Sequence, residues 1–174
     1  YIRDGKNHLT VVNIKTALEG SLRRLGTDTV DLYQIHWPDR KVNIFGQREF
    51  TSPEDAETDN AEISETLETL DKLRKAGKIR VFGISNETPW GVMRYLSLAG
   101  KNGWDRVVSI QNPFNLLNRS FESGLAEISF RESVGLLAYS PLAFGMLTGK
   151  YLDGHKPVRA RLTLYSRFQR YQTK

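Results

Sequence analysis

The stretch that decides the fold reads Asp31-Leu32-Tyr33-Gln34-Ile35-His36-Trp37-Pro38-Asp39. Its β-branched and aromatic residues favour a short strand, and Pro38 ends it. His36 then lies where the strand opens into a loop. In α/β proteins, loops at the carboxyl ends of parallel strands bind ligands. His36 is therefore a candidate site residue, although a core histidine bonded to a backbone carbonyl explains its position equally well at this point.

Amphipathic helices alternate with further strands along the rest of the chain. The predicted strands begin at Leu32, Ile79, Val107 and Leu136. The predicted helices start at Thr10, Glu62, Thr88 and Ser120, and Gly26, Gly77 and Gly103 lie at or near the ends of the first three. Strands that alternate with helices form a parallel sheet. We therefore predict an α/β fold with four consecutive β/α units of parallel sheet, part of a barrel.

Polar side chains end all four predicted strands. They are His36, Ser85-Asn86, Gln111-Asn112 and Tyr139-Ser140. Carboxyl ends of parallel strands lie at one face of a barrel, so these side chains are expected to share one site.

Length and composition indicate an ordinary globular chain. Its 174 residues form a single predicted domain, with 39% hydrophobic and 26% charged residues. Cysteine is absent, which fits a reducing compartment, and we expect a cytoplasmic location. No apolar run approaches the roughly 20 residues of a membrane span. The chain starts at Tyr1, which is typical of a processed product, a trimmed chain or a fragment.

Two segments stand apart from the β/α pattern. Residues 39–60 lack a sustained period and follow His36 closely, so we predict a lid-like loop over the strand ends. Residues 156–174 form a basic tail with six Lys or Arg and no acid, while the remainder is nearly neutral. Such a tail suits an anion such as phosphate, a nucleic acid, or merely a solvated surface. The three histidines are scattered, so we predict no metal site.

Four blocks of the sequence resemble the aldo-keto reductase family. They are residues 31–38, 77–86, 109–117 and 138–151, and the match extends over residues 6–171. The most specific block is Ala138-Tyr-Ser-Pro-Leu-Ala-Phe-Gly-Met-Leu-Thr-Gly-Lys-Tyr151. The resemblance implies a (β/α)8 TIM barrel, of which this chain would supply strands four to seven. It also implies an NADP(H)-dependent oxidoreductase that reduces the carbonyl of a small-molecule aldehyde or ketone.

The resemblance assigns roles to individual residues. His36 matches the catalytic histidine, which would polarise the substrate carbonyl. Ser85, Asn86 and Gln111 match the residues that bind the nicotinamide carboxamide, and Tyr139 matches the aromatic residue that stacks on the nicotinamide ring. The pyrophosphate loop corresponds to Ser140, Pro141, Leu142, Ala143 and Phe144. Lys150, and more loosely Arg159 or Arg161, resemble its phosphate partners.

The resemblance also implies that catalytic groups lie outside these 174 residues. The family's proton-donor tyrosine and its assisting lysine and aspartate come from a part that precedes residue 1. We therefore expect this chain alone to be inactive, because general acid–base help contributes roughly 10² to 10⁴-fold to rate. The alternative is a non-catalytic nucleotide-binding half-barrel or assembly subunit that self-associates through open sheet edges. No nucleic-acid motif is recognisable, so no nucleic-acid partner is expected.

Overall fold

The computed structural model describes residues 8–43, 50, 62–168, 170 and 171. The five α-helices in this part of the chain are α1 (Val11–Leu25), α2 (Ile63–Lys75), α3 (Pro89–Asn102), α4 (Leu125–Arg131) and α5 (Arg161–Leu164). The four strands are β1 (Val30–Ile35), β2 (Ile79–Ser85), β3 (Ser109–Gln111) and β4 (Gly135–Leu136). Short 3₁₀ turns cover residues 120–122, 143–148 and 152–154.

The strands form one parallel sheet in the order β1-β2-β3-β4. A helical segment connects each strand to the next, so the predicted β/α repeat is confirmed. Over the described residues, the sheet is a partial barrel that does not close on itself. Because all four strands run in one direction, their carboxyl ends lie along a single edge.

Local sequence signals set the helix ends. Thr10 caps α1 by accepting a hydrogen bond from the Asn13 N–H, and Gly26 ends that helix with a left-handed φ of 66°. Thr88 caps α3 in the same way, and Pro89 follows at the first helical position. A threonine N-cap typically contributes about 1 kcal/mol to stability. These caps fix the residues at which the helices begin and end.

The hydrophobic core lies between the sheet and the helices on one of its faces. Leu67 and Leu70 of α2 pack with Phe82 and Ile84 of β2, and all four side chains are fully buried. The other face of the sheet has no helical cover among the described residues. Apolar side chains on that face, Leu32, Val81 and Leu137, remain between 36% and 42% exposed. The sheet is therefore one-sided in this part of the chain.

Several predicted boundaries differ from the structure. Strand β3 begins at Ser109 rather than Val107, and β4 contains two residues. The helix predicted from Ser120 is broken at Gly124, whose φ of 98° separates a short turn from α4.

The predicted lid falls mostly outside the described residues. Only positions 39–43 and 50 of the segment 39–60 are described. Every helix in the described part of the chain is too short or too polar to cross a bilayer.

Candidate functional site

The polar ends of the four strands meet in one hydrogen-bonded cluster. Asn86 is its centre: its side-chain Nδ2 donates to the His36 carbonyl at 2.8 Å and to Ser85 Oγ at 3.1 Å. The Tyr139 hydroxyl donates to Asn86 Oδ1 at 2.7 Å. The Asn86 backbone N–H donates to the Gln111 carbonyl at 3.0 Å. The structure therefore brings together His36, Ser85, Asn86, Gln111 and Tyr139.

Backbone conformation turns the Asn86 side chain into this cluster. Its φ is 56°, in the left-handed region, which asparagine enters more readily than most residues. Asn86 is 5% exposed and Ser85 is 4% exposed. Non-glycine residues in this region cost about 1–3 kcal/mol and are frequent at functional sites. The strained turn after β2 thus marks the middle of the strand edge.

His36 joins the cluster through its backbone carbonyl, and it is the most exposed of the five residues. Its ring centroid lies 4.4 Å from that of Trp37. His36 as a whole is exposed, but partial desolvation of the imidazole lowers its pKa below the usual 6.5. At neutral pH the ring is therefore mainly uncharged and can donate through one N–H.

Tyr139 closes the far side of the cluster. Burial raises the pKa of its hydroxyl, and a hydrogen bond to Arg170 acts in the opposite direction. The backbone of Tyr139 continues the sheet beyond β4, since its N–H donates to the Asn112 carbonyl at 3.1 Å and it forms a parallel bridge with Pro113. The hydroxyl remains protonated at neutral pH and holds Asn86 Oδ1.

The segment after Tyr139 turns sharply. Ser140, Ala143 and Phe144 have φ values of 54°, 48° and 56°, and Gly145 has 100°. Ala143 is completely buried, whereas Pro141 and Leu142 are exposed. Left-handed residues that alternate with right-handed ones can turn successive N–H groups inward and form anion-binding concavities. In the segment 140–145 the left-handed residues 143–145 are instead consecutive, and the N–H groups of Ala143 and Gly145 donate to the Ser140 and Leu142 carbonyls at 2.8 and 2.7 Å, so the segment is a tight turn closed by its own backbone.

Two cationic side chains flank this turn. An atom added at the Cβ position of Gly145 would lie 3.0 Å from Lys150 Nζ, so the ammonium lies directly against the turn. The Arg161 guanidinium lies 5.6 Å from the Phe144 ring and 5.0 Å from the Phe168 ring. The structure therefore brings Lys150 and Arg161 to the turn that contains Phe144. Arg159 is exposed, and no contact connects it with that turn in the described residues.

The basic tail folds back onto the same region. Tyr171 is 8% exposed, and its hydroxyl oxygen accepts from Asn115 Nδ2 at 3.1 Å. Asn115 Nδ2 also donates to the Ser140 carbonyl at 2.8 Å. Asn115 and Tyr171 therefore tie the tail to the turn after Tyr139. Sequence reasoning did not single out either residue, because their contact spans 56 positions.

A separate cavity of about 850 Å³ lies beside the strand edge. Its lining includes Arg40, Trp90 and Arg94, and it contains none of the cluster residues described above. The wall is fixed by Arg40, which donates to both Glu87 carboxylate oxygens at 2.8 and 2.7 Å. The Arg40 guanidinium also lies 5.0 Å from the Trp90 ring centroid. Sequence analysis did not predict this cavity.

The described residues contain no candidate metal centre. Nowhere in that part of the chain do three or more His, Asp or Glu side chains gather as metal ligands would. His8 instead contacts Asp39, with its Nδ1 3.0 Å from Asp39 Oδ1.

Parallel β/α units with a polar rim at the carboxyl strand ends define the class of barrel-type α/β proteins that bind ligands at that rim. Comparison with known proteins gives the family. The model for the aldo/keto reductase family matches residues 1–172, and the chain therefore belongs to the aldo-keto reductase family. The four observed strands are a part of that family's (β/α)8 barrel.

Individual relatives refine this assignment. The chain is 58% identical over 162 residues to Protein tas of Escherichia coli, a match that covers 91% of this chain and 45% of that protein. It is 40% identical over 182 residues to an aldo-keto reductase of Babesia bovis, covering 100% of this chain and 63% of that protein. It is 32% identical over 159 residues to the human aflatoxin B1 aldehyde reductase member 2, covering 89% and 39%.

The sequence blocks quoted above also predict the branch of the family that contains Tas, and this prediction is confirmed. The chain spans less than half the length of that relative.

Proposed function

We propose that the protein carrying this chain is an NADP(H)-dependent oxidoreductase that reduces aldehyde or ketone carbonyls. The observation that carries this proposal is the cluster at the strand edge, where the Asn86 side chain bonds to the Tyr139 hydroxyl, to Ser85 Oγ and to the backbone carbonyl of His36. The name of the human relative, an aldehyde reductase, supports the same substrate class. The cysteine-free composition supports a cytoplasmic location as part of the proposal.

The chemistry of the donor set fits a nicotinamide dinucleotide. When bound, NADP(H) supplies the hydride. The amide and hydroxyl groups of Ser85, Asn86 and Gln111 are of the type that bind a carboxamide, which offers both a donor and an acceptor. Tyr139 offers a flat aromatic face beside them. These residues would hold and orient the nicotinamide end.

The turn after Tyr139 fits the pyrophosphate end. Lys150 and Arg161 lie against this turn and supply positive charge there. Charge-assisted hydrogen bonds from such cations to phosphate oxygens are about twice as strong as neutral ones. We propose that Ser140, Pro141, Leu142, Ala143 and Phe144 wrap the pyrophosphate and that Lys150 and Arg161 neutralise it.

His36 is the proposed catalytic residue. Its lowered pKa keeps the ring neutral at pH 7, so one N–H can donate to the substrate carbonyl oxygen. That hydrogen bond stabilises negative charge as it develops on the oxygen. A preorganised donor of this kind contributes about 10²- to 10³-fold to turnover.

The test is carried out on the full-length gene product that contains this chain. NADPH consumption with 4-nitrobenzaldehyde is followed by absorbance for the wild type, His36→Ala and His155→Ala. His155 is exposed and lies outside the cluster, so it is the matched control. We expect His36→Ala to lower the rate about 100-fold or more and His155→Ala to leave it unchanged. Absence of turnover in the wild type with any simple aldehyde or ketone would refute the proposal.

A second candidate is a nucleotide-binding subunit without catalysis, which associates through its sheet. It is favoured by one observation: Leu32, Val81 and Leu137 are half-exposed on the face without helical cover. An uncovered apolar sheet face, like an open sheet edge, promotes association with another chain. Sedimentation of the full-length product, combined with titration of NADP⁺, discriminates the two candidates. Saturable binding by a self-associated species with no turnover would favour the subunit.

A further inference from the structure

A row of three polar side chains crosses the sheet on its uncovered face. The row consists of Gln34 on β1 and Ser109 and Gln111 on β3. Ser109 Oγ donates to Gln34 Oε1 at 3.1 Å, and Gln34 Nε2 donates to Gln111 Oε1 at 3.1 Å. Strand β2 lies between these two strands, so the contacts cross over it. We name these three residues the polar row.

Gly83 allows the polar row to cross. It lies beside Gln34 in the register of β1 and β2, and the pairing of Ile84 with Ile110 puts Ser109 on its other side. A Cβ atom at position 83 would overlap Gln34 Oε1 and Ser109 Oγ and would lie 2.9 Å from the Ser109 carbonyl oxygen. The absent side chain thus provides the space in which the amide and the hydroxyl meet.

The row fixes which end of the Gln111 amide faces outward. Gln111 Oε1 already accepts a hydrogen bond from Gln34 Nε2, so the polar group of the Gln111 side chain that remains is its amide NH₂, Nε2. Within the described part of the chain, this NH₂ group has no hydrogen-bond partner. Gln111 therefore presents a donor at the strand edge.

The neighbouring residues present acceptors instead. Ser85 Oγ donates its only proton to the Gln111 carbonyl at 2.6 Å. Both protons of Asn86 Nδ2 are used on His36 and Ser85. Asn86 Oδ1 accepts from Tyr139 and retains a second lone pair. The edge thus offers a donor at Gln111 and acceptors at Ser85 and Asn86.

A primary carboxamide complements this arrangement in one orientation. Its carbonyl oxygen would face Gln111 Nε2, and its NH₂ would face Ser85 and Asn86. We propose that Gln34, held by Ser109, is a positioning residue that sets the Gln111 amide for the nicotinamide carboxamide oxygen. This inference rests on the proposed function, since it assumes that a nicotinamide binds at the strand edge.

The test measures binding rather than turnover. Isothermal titration of the full-length gene product compares four ligands: NADP⁺, its thionicotinamide analogue, its 3-acetylpyridine analogue and 2′-phospho-ADP-ribose. The thio analogue weakens the acceptor that faces Gln111, whereas the acetyl analogue removes the NH₂ that faces Ser85 and Asn86. The last ligand lacks the nicotinamide altogether. The variants are Gln34→Met and Gln34→Glu, with Leu32→Met as the control on the same face of β1.

We expect Gln34→Met to weaken NADP⁺ binding about three- to tenfold, the range of one hydrogen bond. The ratio of the Kd of the thio analogue to the Kd of NADP⁺ should fall towards one in this variant. The corresponding ratio for the acetyl analogue should stay at its wild-type value. A carboxylate at position 34 can only accept, so Gln34→Glu should turn Gln111 Nε2 inward and cause the same selective loss. Affinity for 2′-phospho-ADP-ribose should remain unchanged in every variant, and Leu32→Met should behave as the wild type.

The outcomes separate this inference from the proposed function. If the wild type binds none of the dinucleotides, both are wrong. If the wild type binds NADP⁺ and both Gln34 variants bind all four ligands like the wild type, the positioning role is refuted while the proposed function stands. Equal losses for NADP⁺ and 2′-phospho-ADP-ribose would show a general structural effect and would also refute it.

Discussion

Gly83→Ala is the most informative single substitution in the sheet. The new methyl group would lie 2.9 Å from the Ser109 carbonyl oxygen and would overlap the Gln34–Ser109 contact. The side chains can move away, but the backbone oxygen can yield only if β3 shifts. Overpacking of this kind costs about 1–3 kcal/mol, and the loss of the Ser109–Gln34 hydrogen bond adds about 1 kcal/mol. We expect the free energy of unfolding to fall by about 2–4 kcal/mol.

The assay is urea unfolding of the full-length gene product, followed by tryptophan fluorescence. Gly135→Ala is the matched control, because a Cβ atom there meets only the Val108 carbonyl oxygen at an ordinary 3.7 Å. We expect that control to lie within about 0.5 kcal/mol of the wild type. A double variant, Gly83→Ala with Gln34→Ala, removes one of the overlaps and should recover part of the loss. Equal unfolding midpoints for the two glycine variants would refute the steric argument.

The remaining predictions concern an ion pair, a histidine and a helix. Arg40→Ala leaves the Glu87 carboxylate, 2% exposed, without its bidentate partner, and should cost about 3–5 kcal/mol in urea unfolding; a loss below 1 kcal/mol would contradict this. The His36 ring should titrate below pH 6.5 by NMR, with His36→Gln used for assignment. Because the pKa of His36 is lower in the folded than in the unfolded state, His36 should lower the free energy of unfolding as pH falls below about 6.5. An NMR titration midpoint of the ring above pH 6.5 would contradict this prediction. The methyl group added by Gly100→Ala in α3 would lie in open space, and alanine favours a helix more than glycine does. In urea unfolding this variant should therefore be more stable than the wild type by up to about 1 kcal/mol.

Local patterns were sufficient to predict the order and type of most elements. Thr10 and Gly26 bound α1, and Thr88 with Pro89 begins α3, because capping depends on a few neighbouring residues. The whole of β2 was predicted because residues 79–85 are rich in apolar side chains and precede a turn. The parallel arrangement then followed from the alternation of strands and helices.

The cluster at the strand edge was predicted as a set of positions but not as a network. Polar residues at four strand ends indicated a common rim, and the contacts of Asn86 with His36 and Tyr139 agree with it. Which atom donates to which could not be predicted, because it depends on the register and twist of the assembled sheet. The roles assigned to these residues remain predictions.

Contacts between distant parts of the chain were missed for a physical reason. Gln34 and Gln111 are 77 positions apart, and neither lies in a local pattern that indicates the other. The same holds for Arg40 and Glu87, which are separated by 47 positions. The short length of β4 also escaped prediction, because strand length is set by pairing with β3 rather than by the apolar residues of positions 136–139.

The tail that returns to Asn115 has both of its ends fixed. At one end the Leu162 N–H donates to the Tyr151 hydroxyl at 3.2 Å, and at the other Tyr171 is buried against Asn115. Val158 and Arg159, which come just before the first of these points, are exposed. Trypsin that cleaves after Arg159 should therefore nick the protein without releasing either piece: two bands on a denaturing gel and one species by native mass spectrometry.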